Sequence, residues 1–117
     1  MSTIYHLSTC NTCQRIIGEL QPGASVEMRE IKSQPLSEAE VDRLKEMAGS
    51  YEALFSRRAR KFRQLGLHEQ ELSEADYRRY LLEDYTFLKR PVVVVGDQIF
   101  IGNAKKVVAA AREAMEG

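Results

Sequence analysis

The stretch STIYHLSTCNTCQRIIGEL, residues 2–20, decides the fold of this chain. Ser2–Ser8 reads as an extended segment, and Ile16, Ile17 and Leu20 then recur at the spacing of one helical face. Between the two halves lie Cys10 and Cys13, the only two cysteines of the protein. A Cys-x-x-Cys at a strand-to-helix turn sets its first sulfur over the N–H groups that an opening helical turn leaves unbonded. Those donors, with the positive end of the helix dipole, favour thiolate over thiol. A thiolate is the attacking species, and a second thiol one turn further on can resolve the mixed disulfide it forms.

Other uses of the pair carry less weight. A structural zinc ion takes four ligands, and only His6 and His68 are available to complete the set, without finger-like spacing. Free cysteines are often inert core residues. Here the flanking Thr9, Asn11 and Thr12 make the position polar. A phosphatase loop needs five residues between Cys and Arg, whereas Cys10 and Arg15 are separated by Asn11, Thr12, Cys13 and Gln14. Redox or nucleophilic use fits best.

The 117 residues suffice for one domain with one core. At 44% hydrophobic and 29% charged, the composition is that of an ordinary globular protein, with no apolar run of membrane-spanning length. Seventeen basic residues balance seventeen acidic ones, so no net field recruits nucleic acid or a membrane surface. Two close cysteines do not make an extracellular disulfide framework, and no secretory pattern opens the chain, so a cytoplasmic protein is expected. One local excess stands out: Arg57, Arg58, Arg60, Lys61 and Arg63 crowd into Ser56–Arg63. It is either a solvated face or a fork for an oxyanion or carboxylate.

Beyond a helix over about Thr12–Leu20, Gln21-Pro22-Gly23 is a turn and Ser25–Ile31 a second strand, making a parallel βαβ unit. Ser37 with Glu40 is a capping box opening a helix that carries Val41, Leu44, Met47 and Ala48 and ends at Gly49. Tyr51–Phe55 reads as a short helix. Ser73 with Asp76 opens another, whose buried face runs through Tyr77, Tyr80 and Leu81 towards Asp84 and Tyr85. Pro91–Val95 is a β-branched run of the kind buried on both faces of a sheet, and Gly96-Asp97 turns it back into Gln98–Ile101. Asn103 is the expected cap of a last helix, Ala104–Met115. With its helical middle removed, the order βαβ–ββα is the thioredoxin arrangement. The expected fold is therefore α/β and thioredoxin-like: one domain, 1–117, with a mixed four-stranded sheet and a helical insertion over 32–88.

In such a fold a cis-proline loop faces the cysteine motif, which makes Pro91 the cis-proline candidate. Arg90 then either directs its guanidinium at Cys10 or is simply solvated before a strand. The fold favours the first. His6 is expected to pack beneath the cysteine loop and His68 to be exposed.

Tyr5-His6, Cys10-x-Thr12, an insertion ending near Gln64–Leu67, and Leu88–Val94 together resemble the arsenate reductase family of glutaredoxin-linked type, and the related Spx-type proteins. The resemblance spans about Ile4 to Val107. It implies Cys10 as the nucleophile on arsenate, no bound cofactor, and glutathione with glutaredoxin as reductant. Oxyanion contacts are implied for Arg90 and Arg58, with Thr12 and Arg15 beside the sulfur. The family's insertion arginine falls at Ser56 by direct alignment, its third arginine falls near Asn103, and Gln14 stands where another would be. Cys13 replaces a serine of the glutaredoxin-linked enzymes and matches the redox-switch pair of Spx-type regulators. Ser56–Phe62 is similar to a Ser-x-Arg-Ser-Lys-x-Phe stretch of those regulators, which bind the C-terminal domain of the RNA polymerase alpha subunit. The expectation is a monomeric thiol oxidoreductase with Cys13 as resolving thiol. The alternatives are a redox-sensing regulator, and a glutathione-dependent enzyme on another acceptor.

Overall fold

A computed structural model describes residues 2–116. They fall into two compact units, one formed by the residues up to Gln34 with those from Arg90 on, the other by Pro35–Lys89.

The first unit holds the sheet. Strand β1 is Ser2–His6, helix α1 Asn11–Leu20 and strand β2 Val26–Glu30; β3 is Val92–Val95 and β4 Gln98–Ile101. The strand order is β2-β1-β3-β4. β1 and β2 run parallel with Ile4 opposite Met28 and His6 opposite Glu30. β3 is antiparallel to β1, with Val93 on Ile4 and Val92 on Tyr5, and β4 returns beside β3. The mixed sheet and thioredoxin-like order are as the sequence predicts.

Alternation in β1 puts Ile4 on one face, where it packs with Ile16 and Leu20 of α1, Val93, and Ala111 of the last helix. Ile17, Val26, Phe100, Val108 and Met115 close this cluster. Each fully buried aliphatic side chain contributes about 1.5–3 kcal/mol, so this cluster anchors α1 firmly to β1. Val92, Val93 and Val94 are all buried, which is what an unbroken β-branched run requires. Gly96 takes φ 61°, the left-handed backbone that a two-residue hairpin turn needs at its first central position.

The last helix, α5 by its place in the chain, is Lys105–Glu116 and begins one residue later than expected. The carbonyl of Ala104 accepts from the Val108 amide, so Asn103 lies one position too early to cap it.

The second unit is helical. Its α2 is Glu38–Ala48 and its α4 is Glu74–Glu83, each opened by a complete capping box, Ser37/Glu40 and Ser73/Asp76. Gly49 closes α2 in the left-handed region at φ 97°. A short α3, Arg60–Gln64, forms inside the basic stretch. Three single 3₁₀ turns, Glu52–Leu54, Leu67–Glu69 and Tyr85–Phe87, link the rest.

The core of this unit is aromatic. Phe55 stacks on Phe87 at 5.1 Å between ring centroids and touches Tyr77 at 4.9 Å and Phe62 at 5.9 Å. Phe55 and Leu88 form a single antiparallel bridge. Asp84 does not extend the buried face of α4 as expected. Its carboxylate accepts from the Thr86 amide at 2.8 Å, caps the next turn, and pairs with Lys61.

Candidate active site

The cysteine motif sits where β1 hands over to α1. The Cys10 amide donates to the Leu7 carbonyl at 3.0 Å and closes a turn, Leu7–Cys10, whose tip residues Ser8 and Thr9 are exposed. Cys10 then takes extended backbone, φ −91° and ψ 111°, as the N-cap of α1, with its carbonyl accepting from Gln14 at 3.1 Å. An N-cap is where Ser, Thr, Asp or Asn usually satisfies the free N–H groups. A sulfur there leaves them able to act on charge instead.

Cys10 is half-buried, and Cys13, one turn on, is 0% exposed. Both are free thiols. Partial burial by itself would push the Cys10 thiol up, but it is outweighed. The Cys13 amide, the Cys13 thiol and the Arg90 guanidinium together hold Cys10 below its ordinary value. Cys13 goes the other way, to about 11, because burial disfavours its anion; the Leu7 amide opposes this, and the neighbouring Cys10 adds to it. The turn thus holds one sulfur ready to ionise and one that stays protonated.

Arg90 reaches the site through strand register. β3 is antiparallel to β1 and pairs Val92 with Tyr5, so the residues before Val92 lie at the end where β1 runs into the cysteine turn. The Arg90–Pro91 bond is cis, at the position the sequence predicts, and Pro91 is buried.

Thr12 is half-buried in the first turn of α1. Arg15 is exposed and pairs with Glu19 one turn along at 3.6 Å. Arg58 belongs to the helical unit, is exposed, and donates its amide to Ser56 Oγ at 3.3 Å. His6 is half-buried at the end of β1, and its Nδ1 has no hydrogen-bond partner among the described residues. His68 is exposed and lies 6.3 Å from the Phe62 ring. No group of three or more metal-ligating side chains occurs among the described residues. No helix among them is long and apolar enough to cross a membrane.

Sequence reasoning passes over Glu30. The sequence places it only within the second strand, Ser25–Ile31, yet its carboxylate accepts from the Ser8 amide at 2.9 Å and the Ser33 amide at 2.8 Å. Those amides, the Ser8 one foremost, hold it down at about 2. Ser33 is three residues on, but nothing in local spacing signals the Ser8 contact, which comes from a separate loop 22 residues away.

The ArsC family model matches residues 5–111. Among solved structures, an arsenate reductase from Vibrio cholerae is 21% identical with a TM-score of 0.79, covering 94% of this chain and 96% of its own. An arsenate reductase (ArsC) related protein from Brucella melitensis is 23% identical, TM-score 0.73, covering 93% and 92%. A protein from Staphylococcus aureus COL is 27% identical, TM-score 0.73, covering 94% and 97%. No curated protein matches the chain in sequence.

Proposed function

We propose, from the premise that this chain belongs to the ArsC family, that it is a thiol-dependent oxidoreductase of arsenate reductase type. Cys10 is the thiolate nucleophile and Cys13 the resolving thiol. The observation that carries this reading is the placement of two free thiols one helical turn apart at the start of α1, the outer one at the N-cap and the inner one buried, beside the cis Arg90–Pro91 loop.

The chemistry follows from that asymmetry. The Cys10 thiolate attacks the arsenic of arsenate, and an oxygen leaves as water after taking up protons. Cys13 then attacks the Cys10 sulfur and gives up its proton. The sulfur–arsenic bond breaks with its electron pair on arsenic, which leaves reduced as arsenite while the two cysteines become a disulfide. An external thiol of the glutathione and glutaredoxin class returns that disulfide to two thiols. Arg90 offsets the negative charge at the attacked oxyanion, and Thr12 and Arg15 lie on the same opening stretch of α1. Arg58 enters through the sequence resemblance alone. Two free cysteines suit a reducing cytoplasm.

A glutathione- and glutaredoxin-coupled arsenate reduction assay tests this directly. Removing one positioned donor typically costs about 10²–10³ in rate, so Arg90→Ala should lose that much. An unchanged rate in that variant would remove Arg90 from the mechanism. A second reading, a redox-sensing regulator that engages the RNA polymerase alpha C-terminal domain, draws on the Cys13 position and on Ser56–Phe62. Capture of that domain by a chain without arsenate turnover would select it. Turnover on another glutathione-linked acceptor alone would keep the thiol chemistry and change the substrate.

A further inference from the structure

We propose that Glu30 is a positioning residue for the Cys10 sulfur, its carboxylate pinning the nucleophile's turn to the end of β2. This rests on reading Cys10 as the nucleophile.

The two oxygens divide their partners between two segments. Oε2 takes the Ser8 N–H at 2.9 Å, from the tip of the turn two positions before Cys10. Oε1 takes the Lys32 N–H at 2.9 Å, the Ser33 N–H at 2.8 Å and the Ser33 hydroxyl at 3.1 Å. The Ile31 amide meanwhile donates to the His6 carbonyl at 2.9 Å, which extends the strand pairing to the foot of the turn. On the other side, Gln14 Nε2 donates to the Leu7 carbonyl at 3.3 Å. The turn carrying Cys10 is thus held from β2 by a charged acceptor and from α1 by a side-chain amide.

Each of these contacts to Glu30 comes from a donor, so only a carboxylate can serve both segments. A glutamine offers one acceptor oxygen and one NH₂, and the NH₂ would face an N–H. One of the two segments must come loose. Position and charge then pull the sulfur in opposite directions. A carboxylate near a thiolate disfavours it, so deleting the charge alone would make Cys10 more acidic. Loosening the turn makes it less acidic, because the sulfur loses its alignment with the Cys13 amide and Arg90.

The ionisable groups gathered at this end of the sheet are His6, Cys10, Cys13, Glu30, Lys32 and Arg90. Ultraviolet thiolate absorbance reads the sulfurs among them, and the rate of iodoacetamide labelling at Cys10, located by mass, identifies which one. In Glu30→Gln the first thiol step should move up by about one unit, and labelling at a pH below the wild-type step should slow about tenfold, the loss in thiolate for one unit of acidity. An unchanged step, or one moved down as charge removal alone would give, overturns the proposal. Ser8→Pro deletes the same hydrogen bond from the donor's side and should shift the step the same way. Should the Gln variant not fold, the Pro variant decides alone, and a wild-type titration there overturns it. Neither readout needs arsenate, so both still decide the role of Glu30 in a chain that fails the reductase assay.

Discussion

The two units of this chain are held together by different means. The sheet unit is fixed by strand pairing and an aliphatic cluster around Ile4 and Val93, and Glu30 gathers a side-chain network at its edge. The helical unit has no sheet. It relies on an aromatic stack around Phe55, two capping boxes, and charged pairs such as Arg78 on Asp42 at 2.8 Å. Tyr51 adds its hydroxyl to the same Asp42 at 2.6 Å. The contrast shows where reactivity is placed: the sulfurs sit on the unit whose backbone is tied by ladders, and the dense surface charge on the other.

Phe55→Ala should break this contrast most strongly. Truncating a buried aromatic costs about 3–5 kcal/mol, and here it removes the ring that Phe62, Tyr77 and Phe87 share. Hydrogen exchange should show the loss concentrated in Pro35–Lys89. Equal loss of protection in β1 and β3 would mean that the two kinds of core are not separate in energy.

Ser37→Ala and Ser73→Ala sharpen the comparison at a smaller scale. Each removes a capping oxygen that accepts from an N3 amide at 3.2 Å, and each should lower stability by about 1 kcal/mol in denaturant titration. Because the two capping boxes share no hydrogen-bond partner, the double variant should be near the sum. In α1 the cap position is Cys10, which makes no side-chain cap hydrogen bond, so this helix has no counterpart to the effect.

The smallest effect concerns acid. Asp42 and Glu30 are both held near 2, the first by the Arg78 guanidinium and the Tyr51 hydroxyl, the second by backbone amides. A lowered carboxylate value contributes stability above the unfolded value, 3.8 for Asp42 and 4.5 for Glu30, that is lost as pH falls towards 2. An ion pair at a half-exposed site is screened by salt, whereas hydrogen bonds from amides are not. Carboxyl NMR titration at about 1 M salt, at a screening length of about 3 Å, should therefore raise the Asp42 value by its charge share from Arg78 and Lys45 and move Glu30 less. Equal movement of the two would erase the distinction.

Much of this is readable from residues alone, for physical reasons. The strand–turn–helix at Cys10, the buried valine run behind Pro91 and both capping boxes are signals written within a few residues. Glu30 is not readable, because Ser8 is 22 residues away and only folding brings it near. The same holds for Phe55, Tyr77 and Phe87, which local spacing assigns to separate elements. Asn103 is a polar residue with a cap's chemistry one position off its helix. The expected fold directs Arg90 towards Cys10 before any resemblance is drawn, and the β1–β3 register supplies its location.

Cys13 exposes no surface, so no large reagent can address it while the helix is intact. On the proposed chemistry, a macromolecular thiol couples to the outer sulfur, and either Cys13 or a second external thiol releases it. By the same chemistry, Cys13→Ser closes the internal route: with arsenate as oxidant, an external thiol attacking the Cys10 sulfur of the arsenic adduct expels arsenite and should stay joined to Cys10 until a second thiol displaces it.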